Sequence, residues 1–251
     1  MLLASDDKIA PATPSFRKTF MKSPAASFDE IRAVAASLPT SGFVWPSAFA
    51  HPRVVLYAAT HGIAAGLPGG SSQDMTELVE DMVASHGPFH ALVAQADADL
   101  RLYDLALDRP TRDSRAAPAM DEVEACRAAA YGMMAVEPGV DIFVVAALGP
   151  GAELAAEIMA AASLDPLELL AAKGGPDIAA ILGVILASRL AGIPLILDGA
   201  AACAAAGVAA ALNPEALAHC RAATGDCAGL EPILAGPADS PLTGIRALMQ
   251  S

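Results

Sequence analysis

Four short apolar runs, Val54–Ala59, Leu100–Leu105, Asp141–Ala147 and Pro194–Leu197, alternate with longer stretches of helical periodicity, and this alternation most restricts the folds open to the chain. Each run is strand length and mostly apolar without a break, the pattern of a strand buried on both faces. Between them, helical spacing is read over roughly 73–85, 88–97, 121–136, 152–163 and 176–190. Strand-helix alternation of this kind predicts an α/β fold with a mostly parallel sheet and helices on both faces, and right-handed crossovers make it doubly wound. Ser27 followed three residues later by Glu30 has the form of a capping box and starts a helix that runs from Phe28 to Leu38. Residues 1–24 carry Pro11, Pro14 and Pro24 and read as an irregular arm. Residues 25–251 are expected to form one α/β domain, with a small helical part from the N- and C-terminal segments.

A net charge of -13 argues against partners held through phosphates, so neither nucleic acid nor an anionic membrane face is expected. The apolar region from Ile178 to Leu212 is interrupted by Arg189, Pro194 and Asp198, whereas a spanning helix needs about 20 mainly apolar residues. The start, Met1-Leu-Leu-Ala-Ser-Asp-Asp-Lys, lacks the basic segment and long apolar core of a secretory signal, so a cytoplasmic location is expected. Cys126, Cys203, Cys220 and Cys227 show no CxxC spacing; three lie in Ala-rich, helical-looking sequence, where a small buried thiol in a reducing cytosol is the ordinary reading. No metal site is expected from His51, His61, His86, His90 and His219: the i,i+4 pair His86 and His90 is broken by Gly87 and Pro88.

In an open parallel sheet ligands lie beyond the carboxyl ends of the strands, so the residues that follow each run matter most. After the first run come Thr60-His-Gly62 and then Pro68-Gly-Gly-Ser-Ser-Gln73. Ser71 and Asp74 can form a capping box, so Ser71 and Ser72 are either helix caps or ligand contacts. His61 is either a structural hydrogen-bonding group or a catalytic one. Gly149-Pro-Gly151 and Lys173-Gly-Gly-Pro176 are turns that either start helices or offer backbone donors to a phosphate.

Two longer segments carry a resemblance. Asp165-Pro-Leu-Glu-Leu-Leu-Ala-Ala-Lys-Gly-Gly-Pro-Asp-Ile-Ala-Ala180 and Ile193-Pro-Leu-Ile-Leu-Asp-Gly199 are similar to D-P-L-E-V-L-A-x-x-G-G-x-E-I-A-A and P-x-L-L-D-G-F of the nicotinate-nucleotide:dimethylbenzimidazole phosphoribosyltransferases. Pro110-Thr-Arg-Asp113, Pro118-Ala-Met120 and Gly229-Leu-Glu-Pro-Ile-Leu234 resemble the family's G-T-R-N, P-A-M and G-L-E-P-L-L. The resemblance implies transfer of phosphoribose from nicotinate mononucleotide to dimethylbenzimidazole or a related base in cobalamin lower-ligand synthesis, by a homodimer or by a heterodimer with a paralogue, without a cofactor. It places the aromatic base near His61, Ser71, Ser72 and Gln73, the phosphoribosyl group near Gly149, Gly151, Gly174 and Gly175, and a further substrate contact at Asp198 after the fourth run.

The chain also departs from the family pattern. The family's G-D-H-G-V has Thr60 in place of Asp, its motif Glu in the Gly-rich turn is Ala147, and Asn and Thr there are Ala152 and Glu153. Its segment with G-R-G-T-G and a basic helix is missing before Asp165, and the general-base Glu falls at Pro241, leaving Asp239 as the nearest substitute. The alternative implied is a noncatalytic base-binding or regulatory partner of a complete paralogue. A small-molecule-binding α/β protein of drifted specificity is a further possibility.

Overall fold

The computed structural model describes residues 27–84, 87–161, 163–225, 227–235 and 242–250; the arm expected over 1–24 and the candidate base Asp239 lie outside them. The strands are β1 (Pro52–Ala58), β2 (Asp99–Asp104), β3 (Ile142–Leu148), β4 (Leu195–Leu197) and β5 (Cys220–Ala222). They form one sheet in the order β2-β1-β3-β4-β5, and every neighbouring pair is parallel. The four apolar runs are thus β1 to β4. The fifth strand, Cys-Arg-Ala, is too short and too mixed to show as an apolar run.

Alternate side chains divide the interior into two layers. Val55, Tyr57, Phe143, Val145, Leu195 and Leu197 face α1 (Phe28–Ala36), α4 (Glu122–Met134), α5 (Pro150–Ala161), α6 (Pro166–Lys173), α7 (Pro176–Ala191) and α8 (Gly199–Leu212). Val54, Leu56, Ile142, Val144 and Ile196 face α2 (Ser72–Ala84), α3 (Pro88–Gln95) and α9 (Leu242–Leu248). Both layers cover the sheet, which is why its central strands can be apolar on both sides. The capping box at Ser27 and Glu30 forms as the spacing implies, and a second one joins Asp121 and Glu124 at the start of α4.

α7 is buried continuously from Asp177 to Arg189, so it has no solvent face. It crosses α4 at a distance only glycine allows: a Cβ on Gly132 would lie 1.8 Å from the Ala180 carbonyl oxygen, and one on Gly183 1.9 Å from that of Ala129. Alanine in a helix gains about 1 kcal/mol over glycine, but overpacking against backbone that cannot rotate aside costs roughly 1–3 kcal/mol. Gly183→Ala is therefore expected to destabilise the protein by about 1–2 kcal/mol. Gly207→Ala in α8, where an added Cβ meets nothing within 4 Å, is expected to stabilise it by up to about 1 kcal/mol. Urea denaturation of the two variants checks both; equal signs would remove the helix crossing as the explanation.

The cysteine expectation needs correction. Cys203 on α8 and Cys227, in the loop after β5, form a disulfide with Cα atoms 4.9 Å apart, while Cys126 and Cys220 are free and buried. The pair is set by the loop folding back onto α8 across 24 residues of sequence, a tertiary approach that spacing does not reveal. Cys220 stands in β5 rather than in a helix. Among the described residues no helix is long and apolar enough to cross a membrane.

Candidate functional site

The strand order reverses direction between β1 and β3, and the crevice outside the carboxyl ends at such a switch point is where open α/β sheets bind ligands. The chain leaving β1 is pinned first. Thr60 donates its hydroxyl to the Leu107 carbonyl at 2.8 Å, its carbonyl accepts from the Thr111 amide at 3.0 Å, and Thr111 Oγ1 accepts from the Gly62 amide at 3.2 Å.

Between these bonds lies His61, 2% exposed. Its Nε2 is 2.9 and 3.1 Å from the two carboxylate oxygens of Asp177 in the first turn of α7, while Nδ1 has no hydrogen-bond partner among the described residues. The ring fills a slot between two of the predicted glycines. A Cβ on Gly151 would come within 2.5 Å of His61 Cβ, and one on Gly175 within 2.1 Å of its Cε1. Loops after β1 and β3 and the start of α7 thus close on one imidazole. The other two predicted glycines also sit tightly: Gly149 has φ +98° beside the Met75 sulfur, and a Cβ on Gly174 would meet the Leu170 carbonyl.

The remaining predicted side chains do not converge on His61. Ser71 and Asp74 exchange both capping bonds, Ser71 Oγ accepting from the Asp74 amide at 3.1 Å and Asp74 Oδ2 from the Ser71 amide at 3.2 Å. Ser72 is half-buried and its carbonyl accepts from Thr76. Gln73 is exposed and donates to Glu77 at 2.9 Å. Asp198 is 1% exposed and accepts from the Gly244 amide at 2.9 Å, fastening the start of α9 to the end of β4.

Positive charge near the strand ends is already engaged in part. Lys173 donates to the Ser114 carbonyl at 2.6 Å. Arg115 grips Asp113, and that guanidinium holds the Asp113 carboxyl down at about 2. Glu153 stands exposed in the first turn of α5, where it opposes an incoming phosphate. Among the described residues no group of His, Cys, Asp and Glu could hold a metal ion.

Asp177 is not marked by the sequence as a partner of His61. It occupies the acidic position of the G-G-x-E-I-A-A pattern, but nothing in its spacing connects it with His61, 116 residues away. Two concavities stand out among the described residues. A groove of about 480 Å³ between α5, α6 and α8 is almost wholly apolar, with Leu164, Pro166, Leu169 and Val208 in its walls. A pocket of about 470 Å³ beyond the end of β2 is lined by Arg109, Arg112, Arg127 and Tyr131.

A protein-family model described as phosphoribosyltransferase matches residues 6–165 and 157–228. The two matched stretches meet at 157–165, beside the apolar groove. The nicotinate-nucleotide–dimethylbenzimidazole phosphoribosyltransferase of Brucella melitensis biotype 1 is 31% identical over 243 residues, covering 81% of this chain and 72% of the relative. The protein of the same name from Brucella anthropi is 30% identical over the same shares. The crystal structure of CobT from Thermus thermophilus superposes with a TM-score of 0.66 at 19% identity, covering 88% of this chain and 90% of that one. That likeness is one of fold.

Proposed function

The chain belongs to the phosphoribosyltransferase family, and on that premise we propose that it transfers a phosphoribosyl group from nicotinate mononucleotide to an aromatic nitrogen base of the dimethylbenzimidazole type. The observation that carries this reading is the convergence of His61, the Gly149–Gly151 turn and the start of α7 at the switch point between β1 and β3. In the reaction a ring nitrogen of the acceptor attacks the anomeric carbon, the glycosidic bond to nicotinate breaks, and nicotinate leaves with the bonding pair. The acceptor's N–H proton passes to a general base. Asp239 is proposed for that base. His61, held by Asp177, orients the loops around the crevice rather than touching the reacting atoms.

A second reading, a noncatalytic base-binding or regulatory partner of a complete paralogue, is favoured by one observation. Ser71, Gln73, Lys173 and Asp198 are hydrogen-bonded within the chain, and Glu153 repels phosphate where the family carries neutral donors.

Incubation of the purified protein with nicotinate mononucleotide and dimethylbenzimidazole, with and without a complete family member, separates the two. Nicotinate and ribazole phosphate are followed by mass-resolved chromatography. Product from this chain alone, lowered about a hundredfold in Asp239→Ala, is the expected result. No product alone, with altered turnover by the paralogue, would leave the partner reading. An effect on neither would sink both.

A further inference from the structure

The pocket beyond β2 has features the proposed reaction does not use. Its walls carry three arginines, in a chain of net charge -13. Two carboxylates also line it, and both already have partners. Glu124 accepts from the Asp121 amide at 2.7 Å and from Arg112 at 3.3 Å, and Asp104 accepts from the Leu107 amide at 2.9 Å. Arg112 is further committed to the Pro118 carbonyl at 2.6 Å. Arg127 makes no ion pair among the described residues, and Arg109 has only Asp108 at 3.9 Å, with both side chains more than 80% exposed. A contact that long and that solvated contributes little. Two of the three arginines that line the pocket therefore have no close, shielded ion pair among the described residues.

The loop that presents Arg109 is held in an unusual form. Ala106, in the pocket wall, has φ +62°, a left-handed conformation that side chains other than glycine rarely adopt. Hydrogen bonds hold it from both sides: the Leu105 amide donates to the Ala58 carbonyl at 2.9 Å, and the Arg109 amide to the Ala106 carbonyl at 2.9 Å. Strained backbone kept in place this way is commoner at binding sites than elsewhere. The opposite wall is apolar and aromatic. Tyr131 is half-exposed and fixed edge-on against Tyr103, ring centroids 5.5 Å apart at 86°, with Met120 and Pro176 beside it.

We propose that this pocket binds a small planar aromatic molecule bearing one oxyanion, its ring against Tyr131, Met120 and Pro176 and its anion between Arg109 and Arg127. Guanidinium forks suit a carboxylate and a phosphate ester alike, and about 470 Å³ is ample for a single-ring ligand. The site lies beyond the carboxyl end of β2, on the binding edge of the sheet.

Isothermal titration of the full chain with benzoate, phenyl phosphate, benzyl alcohol and inorganic phosphate tests it without requiring turnover, so its failure is independent of the transferase reading. At least one of the two aromatic anions should bind, and which one tells carboxylate from phosphate ester. Benzyl alcohol and inorganic phosphate should each bind at least tenfold more weakly. Arg127→Gln, an exposed change whose fold is checked by circular dichroism, should weaken the aromatic anion about tenfold, the equivalent of 1.4 kcal/mol. Affinity unchanged in that variant, inorganic phosphate binding as well as the aromatic anion, or no binding by either aromatic anion would each overturn the proposal.

Discussion

Replacing Asp177 with alanine is expected to lower stability by about 3 kcal/mol, the upper end of the cost of leaving a buried hydrogen-bonding group without its partner. The geometry argues for that size. His61 and Asp177 side chains are 1% and 0% exposed, and Nδ1 of His61 already lacks a partner among the described residues. Without the carboxylate both ring nitrogens would be buried without a hydrogen-bond partner among the described residues. For a chain of this size roughly 2–4 °C of melting temperature accompanies each kcal/mol, so a loss near 10 °C is expected. Asp177→Asn should fall by less than half as much, because its amide still reaches Nε2. Differential scanning calorimetry checks both, and an Asp177→Ala protein within about 1 kcal/mol of the parent would show that the pair does not hold the loops together. Because three loops meet at this ring, product formation, where present, should fall in the alanine variant even at temperatures where it remains folded.

How legible this was in the sequence depends on whether the cause is local. β1 to β4 announce themselves because strands covered on both faces must be continuously apolar, and Ser27–Glu30 and Ser71–Asp74 announce helix starts because capping is settled within four residues. β5 exists because β4 offers it a partner edge, so Cys-Arg-Ala carries little signal of its own. The Cys203–Cys227 bridge and the His61–Asp177 pair are likewise products of long-range approach. The glycines teach a finer point. Gly151 and Gly175 are conspicuous in the sequence as points of close approach, and within the chain the close neighbour of each is the His61 ring. A glycine reports that something comes near without saying what it is.

Acid should weaken this protein well before its carboxylates titrate, through His219. The ring is fully buried at the start of β5, edge-on to Phe43 at 6.0 Å and beside the Cys220 thiol, which burial keeps neutral. Burial, with the Arg189 guanidinium as the second cause, pushes His219 down to about 3; backbone contacts at Ala216 and Ile185 pull the other way and lose. The unfolded chain binds this proton near pH 6.5 and the folded one only near 3, so the stabilisation is complete above about 6.5 and is lost as pH falls toward 3. Each unit in that window costs about 1.4 kcal/mol, which gives about 2 kcal/mol by pH 5 and roughly 4–5 kcal/mol across the whole window. The carboxylates held down by arginine, Asp113 by Arg115 and Asp165 by Arg32, lose their contributions only below the ordinary carboxylate range, so the interval from 6.5 to 5 belongs mainly to histidine. His219→Gln, which keeps a polar group near Ala216 and Ile185 but cannot take up the proton, should flatten stability over that interval at the expense of some stability at pH 7. Urea denaturation of both proteins at pH 7 and pH 5 measures the slope. The same slope in both would move the acid sensitivity to another group, whereas a flat variant would place it at β5, the strand the sequence announced least.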